Sequence, residues 1–196
     1  AAGYEPLREY IAHRLRLHGI AAAPSEILIT NGSHHGLELI LKLLTVPGSQ
    51  VVLESPTYAA FIPLLRYYQV KVVELPFRNG GMDLNRLQLF MQHNKVSFVY
   101  TIPNFQNPTG LTSSQEHRER LLHLCEQYKV PLVEDGFEEE LKYSGNVAMP
   151  IKSMDKHHVV LYVGTFSKVL FPGLRVGWIA AHEECIQRLT SLKRFS

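Results

Sequence analysis

One lysine, Lys168, stands between the hydroxyl residues Thr165 and Ser167 and an apolar patch, Val169-Leu170-Phe171, with Arg175 seven positions on. Apolar runs lead in, Val159 to Val163, and out, Val176 to Ala181. The pattern reads as strand, irregular loop, strand, with an amine held on the loop. Lysines are rarely buried unless the amine is paired, neutralised or covalently used. An amine of lowered pKa can form a Schiff base with a carbonyl. An arginine and nearby hydroxyls suit a phosphate. Together they point to a phosphorylated aldehyde cofactor, pyridoxal 5'-phosphate (PLP). A surface loop with ordinary charges accounts for the same residues taken alone, so the other polar positions decide.

Those positions follow apolar runs. Gly32-Ser33-His34 opens a helix, where free backbone N–H groups and the helix dipole favour an anion. A simple N-cap by Ser33 or Asn31 explains the same residues. Adjacent histidines such as His34 and His35 diverge on a helix, and no carboxylate or cysteine pattern accompanies them, so no metal is expected. Tyr58, in Pro56-Thr57-Tyr58, could stack on a flat heteroaromatic ring or fill the core. Asn107-Pro108-Thr109-Gly110 is a turn by composition, and its amide could bond a phenolate oxygen. Glu134-Asp135 ends an apolar run. A carboxylate there could pair with a protonated pyridine nitrogen and make the ring an electron sink, or cap the segment from Gly136 onward.

The elements that must position these groups alternate in type. Strands are predicted at 26–30, 51–54, 70–75, 96–101, 130–134, 157–163 and 174–181. Helices are predicted at 7–17, 34–44, 58–68 and 85–93, from a cap at Ser113 or Ser114 to Tyr128, and from Glu183 onward, with a brief helical or irregular piece from Glu138 to Tyr143. Val, Ile and Leu-rich strands alternating with helices imply an α/β fold: a mainly parallel sheet covered on both faces, in three layers α/β/α. The last two strands are joined by a loop too short for a helical crossover, so at least one strand is expected to be antiparallel. Ligands of such sheets bind beyond the carboxyl ends of the strands. The polar residues above fall there.

Composition sets outer limits. The 196 residues, 45% hydrophobic and 19% charged, suffice for one domain with a substantial core. A net charge of +2 gives no strong basic field for nucleic acid. Cys125 and Cys185 lie far apart in helix-like segments and read as free, reduced thiols. With no apolar run of membrane-spanning length and no signal peptide, a cytoplasmic protein is expected. The chain begins at Ala1 and its last helical segment has no stop signal, which reads as a fragment of a longer protein.

Five segments carry a resemblance: Thr30-Asn31-Gly32-Ser33, Pro56-Thr57-Tyr58, Asn107-Pro108-Thr109-Gly110, Glu134-Asp135-Gly136-Phe137 and Gly164-Thr165-Phe166-Ser167-Lys168. In this order they resemble fold-type I PLP enzymes of the class I/II aminotransferase family. The variety they look most like is the aminotransferase domain of MocR-type regulators and their free-standing relatives. The resemblance implies that residues 1–196 are the PLP-binding large domain, with a smaller C-terminal domain beyond the chain. It implies that Lys168 carries the cofactor as a Schiff base and later moves a proton between Cα and C4'. Asp135 would hold the pyridine nitrogen protonated, Asn107 would bond the ring hydroxyl, and Tyr58 would stack on the ring. Gly32, Ser33, His34, Thr165, Ser167 and Arg175 would form the phosphate cup. The family often has a cis bond before the proline that follows the asparagine.

Two departures stand out. Many relatives carry a tyrosine two or three positions after the aspartate, where this chain has Phe137 and Glu138. Losing that phenol leaves the Schiff-base pKa less depressed. Relatives commonly have Gln-Gln where this chain has His34-His35. The resemblance implies amino acid and 2-oxo acid substrates and a homodimer. It leaves two other functions open. One is a PLP-binding effector domain of a MocR/GntR-type transcriptional regulator, touching nucleic acid only through an N-terminal domain outside this chain. The other is a lyase or decarboxylase on the same fold.

Overall fold

In a computed structural model, which describes residues 1–78, 80–136, 148–167 and 172–195, the apolar runs become seven strands. They are β1 (Ile27–Thr30), β2 (Gln50–Ser55), β3 (Lys71–Pro76), β4 (Val96–Thr101), β5 (Leu132–Asp135), β6 (Val160–Thr165) and β7 (Gly177–Ala180). The helices are α1 (Glu5–Leu17), α2 (Ser33–Leu44), α3 (Phe61–Tyr67), α4 (Leu84–His93), α5 (Gln115–Tyr128), α6 (Ile151–Met154) and α7 (Glu183–Lys193). The strands form one sheet in the order β1-β7-β6-β5-β4-β2-β3. The pairs β2–β3, β2–β4, β4–β5 and β5–β6 are parallel. The antiparallel strand implied by the short last connection is β7, which runs against both β6 and β1. Six strands therefore end on one edge of the sheet, and β7 begins there.

Strand periodicity sends alternate side chains to opposite layers. Val51 and Leu53 of β2 join the cluster under α2, α3 and α7, while Val52 joins the one under α4, α5 and α6. On that second face α1 covers the β1-β7-β6 end through Ile11, Ala12 and Leu15, packed with Ile27, Tyr162 and Trp178. Both faces are thus covered, as β6 requires: every one of its residues is buried. Removing a Leu or Ile side chain from water contributes about 1.5–3 kcal/mol, and these clusters supply the fold's driving force.

Element boundaries differ from expectation where proline intervenes. The helix predicted from Tyr58 starts at Phe61 instead. Pro63 is tolerated only in a first helical turn, because further in it would break a backbone bond and clash with the preceding turn. Residues 56–60 are left as a loop, in which Tyr58 C=O accepts the Phe61 N–H at 3.0 Å. Likewise β5 begins at Leu132, not Val130. Lys129, in the left-handed region, ends α5, and the Val130 N–H turns back to Cys125 O at 2.9 Å. Of the two cap candidates for α5, Ser114 accepts the His117 N–H at 3.2 Å. One-turn helices at Pro24–Glu26, Ile151–Met154 and Pro172–Leu174 are too short to show a period in the sequence. The piece expected from Glu138 to Tyr143 lies outside the described residues.

Candidate functional site

The β1–β7–β6 end of the polar edge gathers groups of the kind that suit an anion. Thr30, Gly177 and Thr165 lie side by side in register at the ends of β1, β7 and β6. Immediately beyond, α2 starts against the sheet. A Cβ on Gly177 would come 2.6 Å from Gly32 C and 2.8 Å from Ser33 N, so only glycine permits this approach. Gly32 is the N-cap of α2, with φ +83° and no side-chain cap. The first N–H groups of a helix have no intrahelical acceptor, so the amide end of α2 is left for an external one. Above it lies Arg175, itself in the left-handed region at φ +50°. A Cβ on Gly32 would meet Arg175 Nη2 at 2.7 Å and Cζ at 3.1 Å. Among the described residues, Arg175 takes part in none of the salt bridges. Thr165 Oγ1 accepts the Ser167 N–H at 3.1 Å and lies 3.0 Å from Ser167 Oγ, which folds the start of the next loop back toward this corner.

The alternative of an N-cap by Ser33 or Asn31 gives way to Gly32, because Thr30 Oγ1 donates to Gly32 O at 2.9 Å and fixes the turn without them. The pair His34-His35, unexplained by sequence, acquires half an explanation. His35 Nδ1 accepts the Asn31 N–H at 3.1 Å and so stiffens the turn ahead of α2. Its pKa is lowered, chiefly by burial, with Glu38 opposing and Lys193 and Lys42 adding to the effect. A neutral ring is what an acceptor role requires. His34 is half-buried in the first turn, and among the described residues no contact explains its identity.

The centre of the edge carries carboxylates, sorted by strand parity. Glu134 points to the α6 side and accepts the N–H groups of Ile151 and Lys152 at 2.8 and 2.7 Å, capping that short helix. Asp135, one residue on, faces the opposite layer. It is 2% exposed and accepts the Tyr100 hydroxyl at 2.8 Å. Glu134 thus serves a helix distant in the chain, while Asp135 lies at the strand end on the opposite face; the segment that the cap reading concerned lies, beyond Gly136, outside the described residues. Tyr100 is fully buried, stacks obliquely on Phe61 at 4.8 Å, and has its pKa pushed well above 10, first by burial and then by Asp135. It stays a neutral donor that orients Asp135.

Two loops complete the edge. After β2, the loop 56–60 follows a cis Ser55–Pro56 bond and carries Tyr58, half-buried against the core. After β4, the loop 102–112 carries Asn107, whose bond to Pro108 is cis as expected. Phe105 in that loop is left-handed at φ +45°. Non-glycine residues in this region cost about 1–2 kcal/mol and persist only where surroundings impose them. Lys168 lies outside the described residues. The structure thus brings Gly32, Ser33, His34, Tyr58, Asn107, Asp135, Thr165, Ser167 and Arg175 to one edge, contributed by the ends of β1, β2, β4, β5 and β6 and the start of β7. Among the described residues, no group of three or more His, Cys, Asp or Glu side chains gathers as a metal site.

The same fold recurs in known proteins. The profile of the family described as aminotransferase class I and II matches residues 1–196. The chain belongs to the class I and II aminotransferase family. It is 41% identical over 198 residues to aromatic-amino-acid aminotransferase 1 of Thermococcus litoralis, covering 98% of this chain and 48% of that protein. It is 38% identical to the uncharacterised HTH-type transcriptional regulator YdfD of Bacillus subtilis, covering 97% of this chain and 40% of that protein. Its fold superposes with a TM-score of 0.92 on LysN, the α-aminoadipate aminotransferase of Thermus thermophilus, solved with N-(5'-phosphopyridoxyl)-L-leucine. Sequence identity there is 34%, over 99% of this chain and 49% of that one. The chain spans about half the length of the curated relatives it matches.

Within this class I and II aminotransferase chain, sequence reasoning missed the groups that hold the site residues rather than serve as them. Tyr100 sits inside an apolar strand and reads as core. Gly177 reads as an ordinary strand glycine. Gln106 and Glu54 are buried polar residues at strand and loop junctions. Glu54 accepts Thr101 Oγ1 at 2.8 Å and the Ile102 N–H at 2.9 Å. Burial above all, with a smaller push from the charge of Asp135, raises its pKa to about 7 against these bonds and the Gln106 amide. A polar residue ending an apolar run was the available signal, and Glu54 before Ser55-Pro56 carried it.

Proposed function

We propose that this chain is the cofactor-binding half of a PLP-dependent aminotransferase that moves an amino group between an amino acid and a 2-oxo acid. One observation carries the reading: an uncapped helix N-terminus under an arginine and a buried, tyrosine-oriented aspartate share one sheet edge, in a chain of this family. The residues fit PLP. The amides of Gly32 and Ser33, the Thr165 and Ser167 hydroxyls and Arg175 would take its phosphate, where the absence of a Cβ at Gly32 leaves room beneath the guanidinium. Asp135 would hold the proton on the pyridine nitrogen, kept in place by Tyr100. Asn107 would bond the ring hydroxyl, Tyr58 would cover a ring face, and Lys168 would supply the amine. When bound, the cofactor supplies an electron sink that makes bonds at the substrate α-carbon labile. The chain's own work is to orient the ring, neutralise the phosphate, hold the pyridine proton, and move a proton at Cα through Lys168. A cytoplasmic homodimer, with the substrate carboxylate gripped by a smaller C-terminal domain, completes the proposal.

A second reading, a PLP-binding effector domain of a MocR/GntR-type regulator, is favoured by the 38% identity to an HTH-type regulator. The test is amino transfer by the full-length protein loaded with PLP, across common L-amino acids and 2-oxo acids. Transfer that requires both the 2-oxo acid and PLP is expected. PLP binding without transfer, together with sequence-specific DNA binding, would favour the regulator. Carbon dioxide release or elimination independent of any 2-oxo acid would point to a lyase.

A further inference from the structure

Gln106 is 1% exposed in a loop, where polar side chains normally reach water. Each of its hydrogen-bonding groups is engaged. Its N–H donates to Leu111 O at 2.8 Å and its C=O accepts the Gly110 N–H at 2.6 Å, which closes the loop after β4 on itself. Its side-chain Oε1 accepts both the N–H and Oγ1 of Thr109, at 3.0 and 2.7 Å. Its Nε2 reaches across to the loop after β2 and donates to Pro56 O at 2.7 Å. The same amide favours the charged form of Glu54, whose carboxylate holds Thr101 and Ile102 at the root of the loop.

The placement has a consequence for geometry. Pro56 is two residues before Tyr58, and Gln106 is the residue before Asn107. The amide therefore spans the two loops that would grip opposite features of a bound ring, its face and its hydroxyl. The Asn107 loop carries a non-glycine residue in the left-handed region, Phe105 at φ +45°, a conformation that persists only where its surroundings impose it. A buried amide with both ends bonded fixes their separation, since releasing either loop would leave a desolvated donor or acceptor unmet.

We propose that Gln106 is a positioning residue that ties the Tyr58 loop to the Asn107 loop and thereby pre-forms the slot for the cofactor ring, with Glu54 as its buttress. This rests on the PLP reading of the site. Gln106 touches no reacting atom; it acts through Tyr58 and Asn107. The slot is set independently of the phosphate corner at Gly32 and Arg175, which lies at the other end of the edge.

That independence supplies the test. In the full-length protein freed of cofactor, binding of PLP and of inorganic phosphate would be titrated for the wild type, Gln106→Leu and Thr109→Val. Phosphate fills only the Gly32–Arg175 corner. For Gln106→Leu, PLP affinity should fall about tenfold or more, as expected for loss of buried amide bonds, while phosphate affinity stays within about twofold. Thr109→Val removes one arm only and should lose less PLP affinity, about threefold. It also covers the case in which Gln106→Leu does not fold. The pH midpoint of the bound cofactor's visible absorbance should move in Gln106→Leu, because Asn107 would no longer be held against the ring hydroxyl. Equal losses for PLP and phosphate, or PLP affinity and midpoint unchanged in both variants, would overturn the positioning role. A wild type that binds phosphate but not PLP would instead overturn the cofactor reading beneath it.

Discussion

Gly32 lies directly beneath Arg175 in the corner at the β1–β7–β6 end. Its φ of +83° and the 2.7 Å approach of Arg175 Nη2 to the position a Cβ would take are separate reasons for glycine. Gly32→Ala should therefore lose about 1–2 kcal/mol of stability from backbone strain alone. It should also weaken PLP binding about tenfold or more by displacing the guanidinium. Thermal unfolding and PLP titration of the full-length protein check the two effects, and an unchanged PLP affinity would remove Gly32 and Arg175 from the phosphate cup. Glu54 makes a prediction about pH. Its carboxyl is raised from an ordinary 4.5 to about 7, so the folded chain binds that proton more tightly than the unfolded chain. Below about pH 4.5 both states hold the proton and there is no penalty. As pH rises from there toward 7 the unfolded state ionises first, and stability is lost across that window. Glu54→Gln does not titrate. Its stability relative to wild type should rise by on the order of 3 kcal/mol between about pH 4.5 and pH 8, read by urea unfolding at each pH. Parallel stability curves would contradict the buried, proton-binding Glu54.

Arg118 shows how one element is locked to the site's loops. It lies on α5, is 0% exposed, and donates to Pro103 O, Asn104 Oδ1, Ser113 O and Oγ, Ala148 O and Met149 O. It thus joins the start of α5 to the segment leading toward Asn107 and to the one entering α6. Arg118→Leu would strand these acceptors and should cost about 3 kcal/mol or more in thermal or urea unfolding. Arg120→Leu, two residues on at an exposed position bonded to Asn85, should change stability by less than about 0.5 kcal/mol. Similar losses for both would show that Arg118 is not the tie described. In the sequence, Arg118 is one charge among several on a polar helix, Gln115 to Arg120, and nothing separates it from its neighbours. This is the general boundary of what was legible. The long strands and helices followed from their apolar periods, and β7's direction followed from its short connection. The ends of strands followed from polar residues after apolar runs, which delivered Gly32, Asn107, Asp135 and Thr165 to the right edge. The start of α3 and of β5 slipped because Pro63 and Pro131 act through backbone bonds that side-chain period does not report. Tyr100, Gly177, Gln106 and Arg118 were hidden because their roles are contacts with residues distant in the chain.

At the scale of the molecule, this chain is about half of the relatives it matches, and its polar edge is the part that reads most fully. The sheet brings into line a helix N-terminus beneath Arg175, the buried carboxylate of Asp135 and two loops bridged by Gln106. It is this set that the proposed cofactor site uses. The remaining member is the amine of Lys168, assigned through the resemblance of Gly164-Thr165-Phe166-Ser167-Lys168. The most direct measurement is the visible absorbance of the full-length protein after incubation with PLP and dialysis, for the wild type and for Lys168→Ala. The wild type should retain a visible band and Lys168→Ala should lack it, while both still bind inorganic phosphate. A band of unchanged position and strength in Lys168→Ala would contradict the covalent anchor on which the proposed function rests.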